Sequence, residues 1–214
     1  LHILWCAAGG PPGSVWPVQT VPEQASAAAA AGINVLGAVN GDFYDIGISN
    51  VPEGPMCREG RWLKEDFFSE TDTHYFGVRD DGRTSIGGIL QFQSLQDRMT
   101  FAIGAGQILL TSNAPTDAIK NDRSNSHRVG IGTNALDHKT VIIACIEGIG
   151  GSDSSVRLLD IANLMYEFGA SEAVNLDGGG SATFVVKEGG SFKAVNRPEG
   201  ALREVANGVA IIKK

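Results

Sequence analysis

The run Asn175-Leu176-Asp177-Gly178-Gly179-Gly180-Ser181-Ala182-Thr183 places a carboxylate directly before three glycines. Residues without Cβ let a ligand approach the backbone, and successive N–H groups can form a concavity for a phosphate or a developing oxyanion. Asn175, Asp177, Ser181 and Thr183 add polar side chains, and apolar segments flank the run on both sides, which weighs against a merely flexible turn. A second run, Asn40-Gly41-Asp42-Phe43-Tyr44-Asp45, sets two carboxylates around an aromatic pair. If extended, it sends Asp42 and Tyr44 to one face and Phe43 and Asp45 to the other. The competing reading is an Asx turn with core aromatics, and Phe43 reads as core in either case.

Arg128 opens the apolar segment VGIGTN after His127, so it stands at a sheet end, where an arginine grips a phosphate or carboxylate by two hydrogen bonds or forms a structural ion pair. Glu147 ends VIIACIE before a glycine cluster; it points into the same cleft or sits on an exposed hairpin. Arg203 and Asn207 lie beside the last apolar segment. No GxSxG elbow, Walker A pattern, HExxH or dinucleotide fingerprint is present. The three cysteines show no zinc spacing; Cys145 reads as core, and a Cys6–Cys57 bridge is left open.

These residues need strands to deliver them. Leu1–Ala7 reads as a strand closed by the Gly9-to-Gly13 cluster, and Pro22–Gly32 as a helix with Glu23 in its first turn. Ile33–Val39 is a buried strand that delivers NGDFYD, and Gly47–Gly60 is a loop over the site. Further strands are expected at His74–Val78, Thr84–Leu90, Phe101–Leu110, Arg128–Asn134, Lys139–Glu147, Ala173–Leu176, Ala182–Lys187 and Val205–Ile212. Val156–Phe168 carries an apolar stripe and stops at Gly169, the clearest helix. Many strands and two clear helices predict an α+β fold with largely antiparallel or mixed sheets.

The 214 residues, 43% hydrophobic, suffice for one domain spanning 1–214. A net charge of −7 argues against nucleic-acid partners, and no apolar run approaches the roughly 20 residues of a membrane span. Nothing in the sequence reads out an oligomeric state. The chain starts at Leu1, so any leader lies outside it.

In this order, the blocks from Ala38 to Ile211 resemble the phosphodiester glycosidase family. The matching residues are NGDFY at 40–44, Arg128–Gly132, Phe168–Thr183 with its FGA and NLDGGGSAT, and Asn196, Pro198 and Arg203. Val129-Gly130, Glu147 and Ile149 depart from the family's usual residues. The resemblance implies a hydrolase releasing an N-acetylglucosamine-like sugar from a sugar-1-phosphodiester in a phosphorylated glycan, in a secreted, periplasmic or cell-surface setting. It implies that Arg128, Arg203 and the Gly178, Gly179 and Gly180 amides hold the phosphate, with Asn40, Asn175, Ser181, Thr183 and Asn207 lining the site. Asp177, Asp42 and Glu147, in that order, are the candidate catalytic carboxylates. No cofactor is assigned; a divalent cation on Asp42, Asp45 and Asp177 belongs to the alternative, hydrolysis at phosphorus. A phosphoglycan-binding module without turnover is the third reading.

Overall fold

The computed structural model describes residues 1–6, 15–69, 73–147, 156–196 and 200–213. Three five-stranded sheets carry the fold. The first orders β1 (His2–Trp5), β15 (Asn207–Ile212), β2 (Val35–Asn40), β13 (Phe184–Glu188) and β14 (Ser191–Ala194). The second orders β11 (Val141–Ile146), β10 (Arg128–Thr133), β12 (Glu172–Leu176), β8 (Ile108–Thr111) and β9 (Ala114–Pro115). The third orders β4 (Arg61–Lys64), β3 (Met56–Arg58), β7 (Met99–Ala105), β5 (His74–Arg79) and β6 (Thr84–Gly87). Every strand pairing described is antiparallel. Among the described residues four α-helices join them: α1 (Val21–Ala30), α2 (Ile89–Leu95), α3 (Asp117–Lys120) and α4 (Leu158–Glu167), so the α+β architecture is as the sequence implies.

Helix α1 starts where the Glu23 carboxylate accepts from the Thr20 amide at 2.9 Å and its hydroxyl at 2.7 Å, a reciprocal N-terminal cap. Helix α4 buries Leu158, Ile161, Ala162 and Met165 against the second sheet. Gly130 and Gly132, two apart on β10, open the surface on which α4 rests: a Cβ at Gly130 would come within 2.6 Å of Met165 Sδ. The departure from the family pattern at Gly130 therefore has a packing reason.

Several boundaries depart from the sequence reading. Phe101–Leu110 is two strands in different sheets, broken at Gly106-Gln107, where the Gly106 amide donates to the Asn175 carbonyl at 2.8 Å. A period-2 pattern does not register that change of partner. Thr84–Leu90 ends as a strand at Gly87, and its tail starts α2, whose Phe92 is packed edge-on by Trp62, Phe67 and Tyr75. The Gly47–Gly60 loop contains β3, paired with β7. Cys6 and Cys57 are buried free thiols, and Cys145 is half-buried rather than core. The Gly9-to-Gly13 cluster, Ala7, Ile149 and Pro198 lie outside the described residues.

Ile161 is fully buried between α4 and β10. Ile161→Ala is expected to lower the urea-unfolding free energy by about 2–5 kcal/mol with an unchanged denaturant slope; a smaller loss would show that α4 repacks.

Candidate active site

The ends of β2, β12 and β15 converge. Asn40, fully buried at the end of β2, donates from its side-chain nitrogen to the Asp177 carbonyl at 2.7 Å and accepts from the Thr183 amide at 3.0 Å. Both flanks of the glycine triad are thereby pinned to one side chain. Beside it, the Asn207 side-chain oxygen accepts from the Asp42 amide at 2.8 Å, and its nitrogen points to Met56 Sδ at 3.1 Å. Gly41 lies so close to Asn207 that a Cβ there would overlap the amide.

Each glycine of the triad has its own reason. A Cβ at Gly178 would approach the His127 carbonyl to 2.5 Å, and Gly179 has a φ of +54°. A Cβ at Gly180 would overlap the Arg203 guanidinium. The Gly178 amide donates to Asp177 Oδ1 at 2.8 Å and the Gly179 amide to the His127 carbonyl at 2.9 Å. Two of the three amides expected to face an anion are thus committed within the protein. Arg203, exposed at the site's rim, donates to Ser181 Oγ at 3.3 Å and is the cation beside the triad. Thr183 serves through its backbone, and its buried hydroxyl has no partner among the described residues.

Asp42 and Asp177 are both buried. Burial pushes the Asp42 carboxyl up to about 8; the Gly54 amide, 2.6 Å from Oδ2, and Lys64 pull it back, while Glu53 and Asp177 push it further. Burial also raises Asp177, to about 6, against the pull of the Ser181 hydroxyl, the Gly178 amide and Arg203, with Glu53 pushing upward. One oxygen of each, Asp42 Oδ1 and Asp177 Oδ2, holds no hydrogen bond among the described residues. Two carboxyls whose surroundings hold their pKa values apart on either side of neutrality are suited to different proton states in one site.

A cleft of about 400 Å³ is walled by Phe43, next to Asp42 in the chain, Asn175, two residues before Asp177, and Glu53, Gln107, Ser124 and Arg128 among others. Arg128 enters it already held: Nη2 donates to the Ser124 carbonyl and hydroxyl, both at 2.8 Å, Nε donates to the Val156 carbonyl at 3.2 Å, and Asp122 stands 4.0 Å away. Phe43 is not core; it is half-buried, lines this cleft and rests on Gly106. Asn175 is buried, with its side-chain oxygen short of a donor among the described residues.

Glu147 follows directly on the last residue of β11, and burial, with the Glu147 charge, raises the Cys145 thiol. The third carboxylate whose charge reaches both Asp42 and Asp177 is Glu53, itself raised by burial and by Asp45. Tyr44 also belongs here: its hydroxyl donates to the Glu204 carbonyl at 2.7 Å, and burial and Asp177 raise its pKa. Neither is singled out by the sequence: Glu53 lies in the Gly47–Gly60 segment, whose loop over the site has no residue assigned to it, and Tyr44 shares the Asp42 face by alternation. Asp45 turns to Ser49, accepting from its hydroxyl at 2.8 Å, and so caps a turn. Among the described residues no group of three or more His, Cys, Asp or Glu is gathered to hold a metal ion.

Residues 34–212 match the phosphodiester glycosidase family. No curated protein matches the sequence. The fold is similar to the zebrafish N-acetylglucosamine-1-phosphodiester alpha-N-acetylglucosaminidase catalytic domain auto-inhibited by its pro-peptide, at 20% identity and a TM-score of 0.72 over 100% of this chain and 73% of that one. It is also similar to a hypothetical protein from Synechocystis, at 12% identity and a TM-score of 0.63 over 100% of this chain and 56% of that one.

Because Asp42 holds its proton in the fold up to about 8 while an unfolded aspartate releases it near 4, the folded state binds the extra proton between those values. Stability should therefore fall as pH rises through that window. Asp42→Asn should flatten the dependence of the urea-unfolding free energy on pH between 5 and 8; a slope equal to that of the wild type would refute the assignment.

Proposed function

Because the chain belongs to the phosphodiester glycosidase family, a family of hydrolases, we propose that its cleft cleaves the anomeric C–O bond of an N-acetylglucosamine-like sugar-1-phosphodiester, releasing free sugar and a phosphomonoester. The observation that carries the reading is the buried Asp42–Asp177 pair beside Arg203, which lies over Gly180 and reaches Ser181.

A phosphate oxygen is already a good leaving group, so the step demands charge placement more than a strong general acid. Arg203 and the Gly180 amide meet the phosphate, keeping its negative charge on the departing side. Asp177, ionised above about 6, faces the oxocarbenium-like centre and takes a proton from the attacking water. The water oxygen bonds to C1, the C1–O bond breaks with its electron pair on the phosphate, and the water proton ends on Asp177. Asp42, neutral up to about 8, keeps the site from holding a second negative charge against the incoming phosphodiester.

On the sugar side, Phe43 offers an apolar face, and Asn175 and Glu53 offer oxygens to hydroxyl and acetamide groups. Arg128, held by Ser124 and Val156, is assigned to shaping that wall rather than to gripping the phosphate. Asn40 and Asn207 hold the loops that carry Asp177 and Asp42. The glycan substrate implies action at the cell surface or beyond it; no described helix is long and apolar enough to cross a membrane.

With a chromogenic phosphodiester of N-acetylglucosamine 1-phosphate, Asp177→Asn should lower kcat by about 10²–10⁴. The product should be free sugar; sugar 1-phosphate would mean attack at phosphorus and overturn the reading. The pH profile of kcat/KM should rise through about 6 as Asp177 ionises and fall above about 8 as Asp42 does. Arg203→Ala should cost roughly 10- to 100-fold in kcat/KM, the range of a hydrogen bond to a charged group.

A further inference from the structure

A second groove, of about 310 Å³, opens beside the carboxylates. Its walls are Tyr44, Ile46, Val51, Pro52 and Phe68, and Glu53 stands in the wall of both this groove and the Arg128 cleft. Tyr44 joins it to the phosphate side, since Asp177 and Arg203 both act on its hydroxyl. The two hollows therefore share the Glu53 wall, and Tyr44 links the groove to Asp177 and Arg203.

Its exposed surface is unusual for a site that handles anions. Ile46 is 55% and Phe68 79% exposed, and three of the charged groups around them, Asp45, Lys64 and Asp66, are already engaged. Asp45 accepts from the amide and hydroxyl of Ser49. Lys64, its side chain only 8% exposed, pairs with Asp66 at 3.1 Å and donates to the Asp66 carbonyl at 2.6 Å. No described cation on this wall is left to hold a second phosphate, and no polar array offers itself to a second sugar. Large side chains left open beside a catalytic centre and rimmed by internally paired charges fit a hydrocarbon.

We infer that the groove formed by Tyr44, Ile46, Val51, Pro52 and Phe68 is the aglycone site, and that the alcohol esterified to the substrate's phosphate is apolar, an alkyl or isoprenoid chain. The inference rests on the glycosidase reading above and names the other half of its substrate. Asp177 and Arg203 act on the C1–O–P linkage, and the chain leaves as its phosphomonoester through the groove.

The test compares methyl, butyl and octyl phosphodiesters of N-acetylglucosamine 1-phosphate, each below its critical micelle concentration, with wild type, Phe68→Ser and Ile46→Ser. Both substitutions sit on exposed positions and are expected to fold. The octyl ester should exceed the methyl ester by roughly tenfold or more in kcat/KM, since each buried methylene favours binding several-fold. The octyl-to-methyl ratio should fall toward one in both variants. Hydrolysis of all three esters at equal kcat/KM, or a ratio that both variants leave unchanged, overturns the aglycone assignment and spares the glycosidase reading. No hydrolysis of any ester overturns both.

Discussion

The site depends on one buried side chain. Asn40 bridges the Asp177 carbonyl and the Thr183 amide, at 2.7 and 3.0 Å, and so fixes both ends of a glycine-rich turn that has little rigidity of its own. Three consecutive glycines lose more conformational entropy on ordering than any other tripeptide. The turn is held because two hydrogen bonds from a fully buried amide, protected from water, act on its backbone, and losing either partner would leave a buried polar group unpaired at a cost of about 1–3 kcal/mol. Asn207 repeats the device on the other loop by accepting from the Asp42 amide.

Once the turn is fixed, electrostatics follow from depth. The same burial that protects the amide bridges strips water from Asp42 and Asp177, and desolvation is the largest influence on each. Their difference comes from partners: Asp177 has Arg203, Ser181 and the Gly178 amide, whereas Asp42 has the Gly54 amide and a distant Lys64. Asp177 thus has a cation, a hydroxyl and an amide to hold its charge where Asp42 has an amide and Lys64. The Arg203 position in turn requires Gly180, because any Cβ there would occupy the guanidinium's place. The triad is thus less an anion cradle than a surface on which a cation can lie.

The substrate-facing surface divides by the same logic. The Arg128 cleft is polar and rigid, since Arg128 donates to two backbone carbonyls and a hydroxyl before any ligand arrives. The neighbouring groove is apolar and open, with Lys64 paired to Asp66 and Asp45 bonded to Ser49. Arg128 is satisfied by the protein, whereas Arg203 is exposed at the rim and donates to Ser181. Exposure and existing partners separate the two roles; residue type does not.

Alternation, glycine stops and caps made the α+β class, α1, α4 and most strands legible in the chain, because these features depend on neighbours two to four residues away. The NLDGGGSAT and NGDFYD runs likewise announced Asn40, Asp42 and Asp177, since a carboxylate delivered by an apolar strand into a glycine turn is a local pattern. Distances between elements decided the rest. Phe101–Leu110 reads as one strand yet splits between two sheets, because the Gly106 and Gln107 backbone pairs with Asn175, nearly seventy residues on. Glu147 and Glu53 look alike in sequence; the charge of one acts on Cys145, and the charge of the other, brought by the loop after Asp42, acts on both aspartates. The sequence alone determined which groups are available for chemistry, because composition and short-range periodicity are local properties. Which of them share a desolvated space was decided by tertiary structure, because burial, and with it every pKa and every ion pair in the site, belongs to the packed chain.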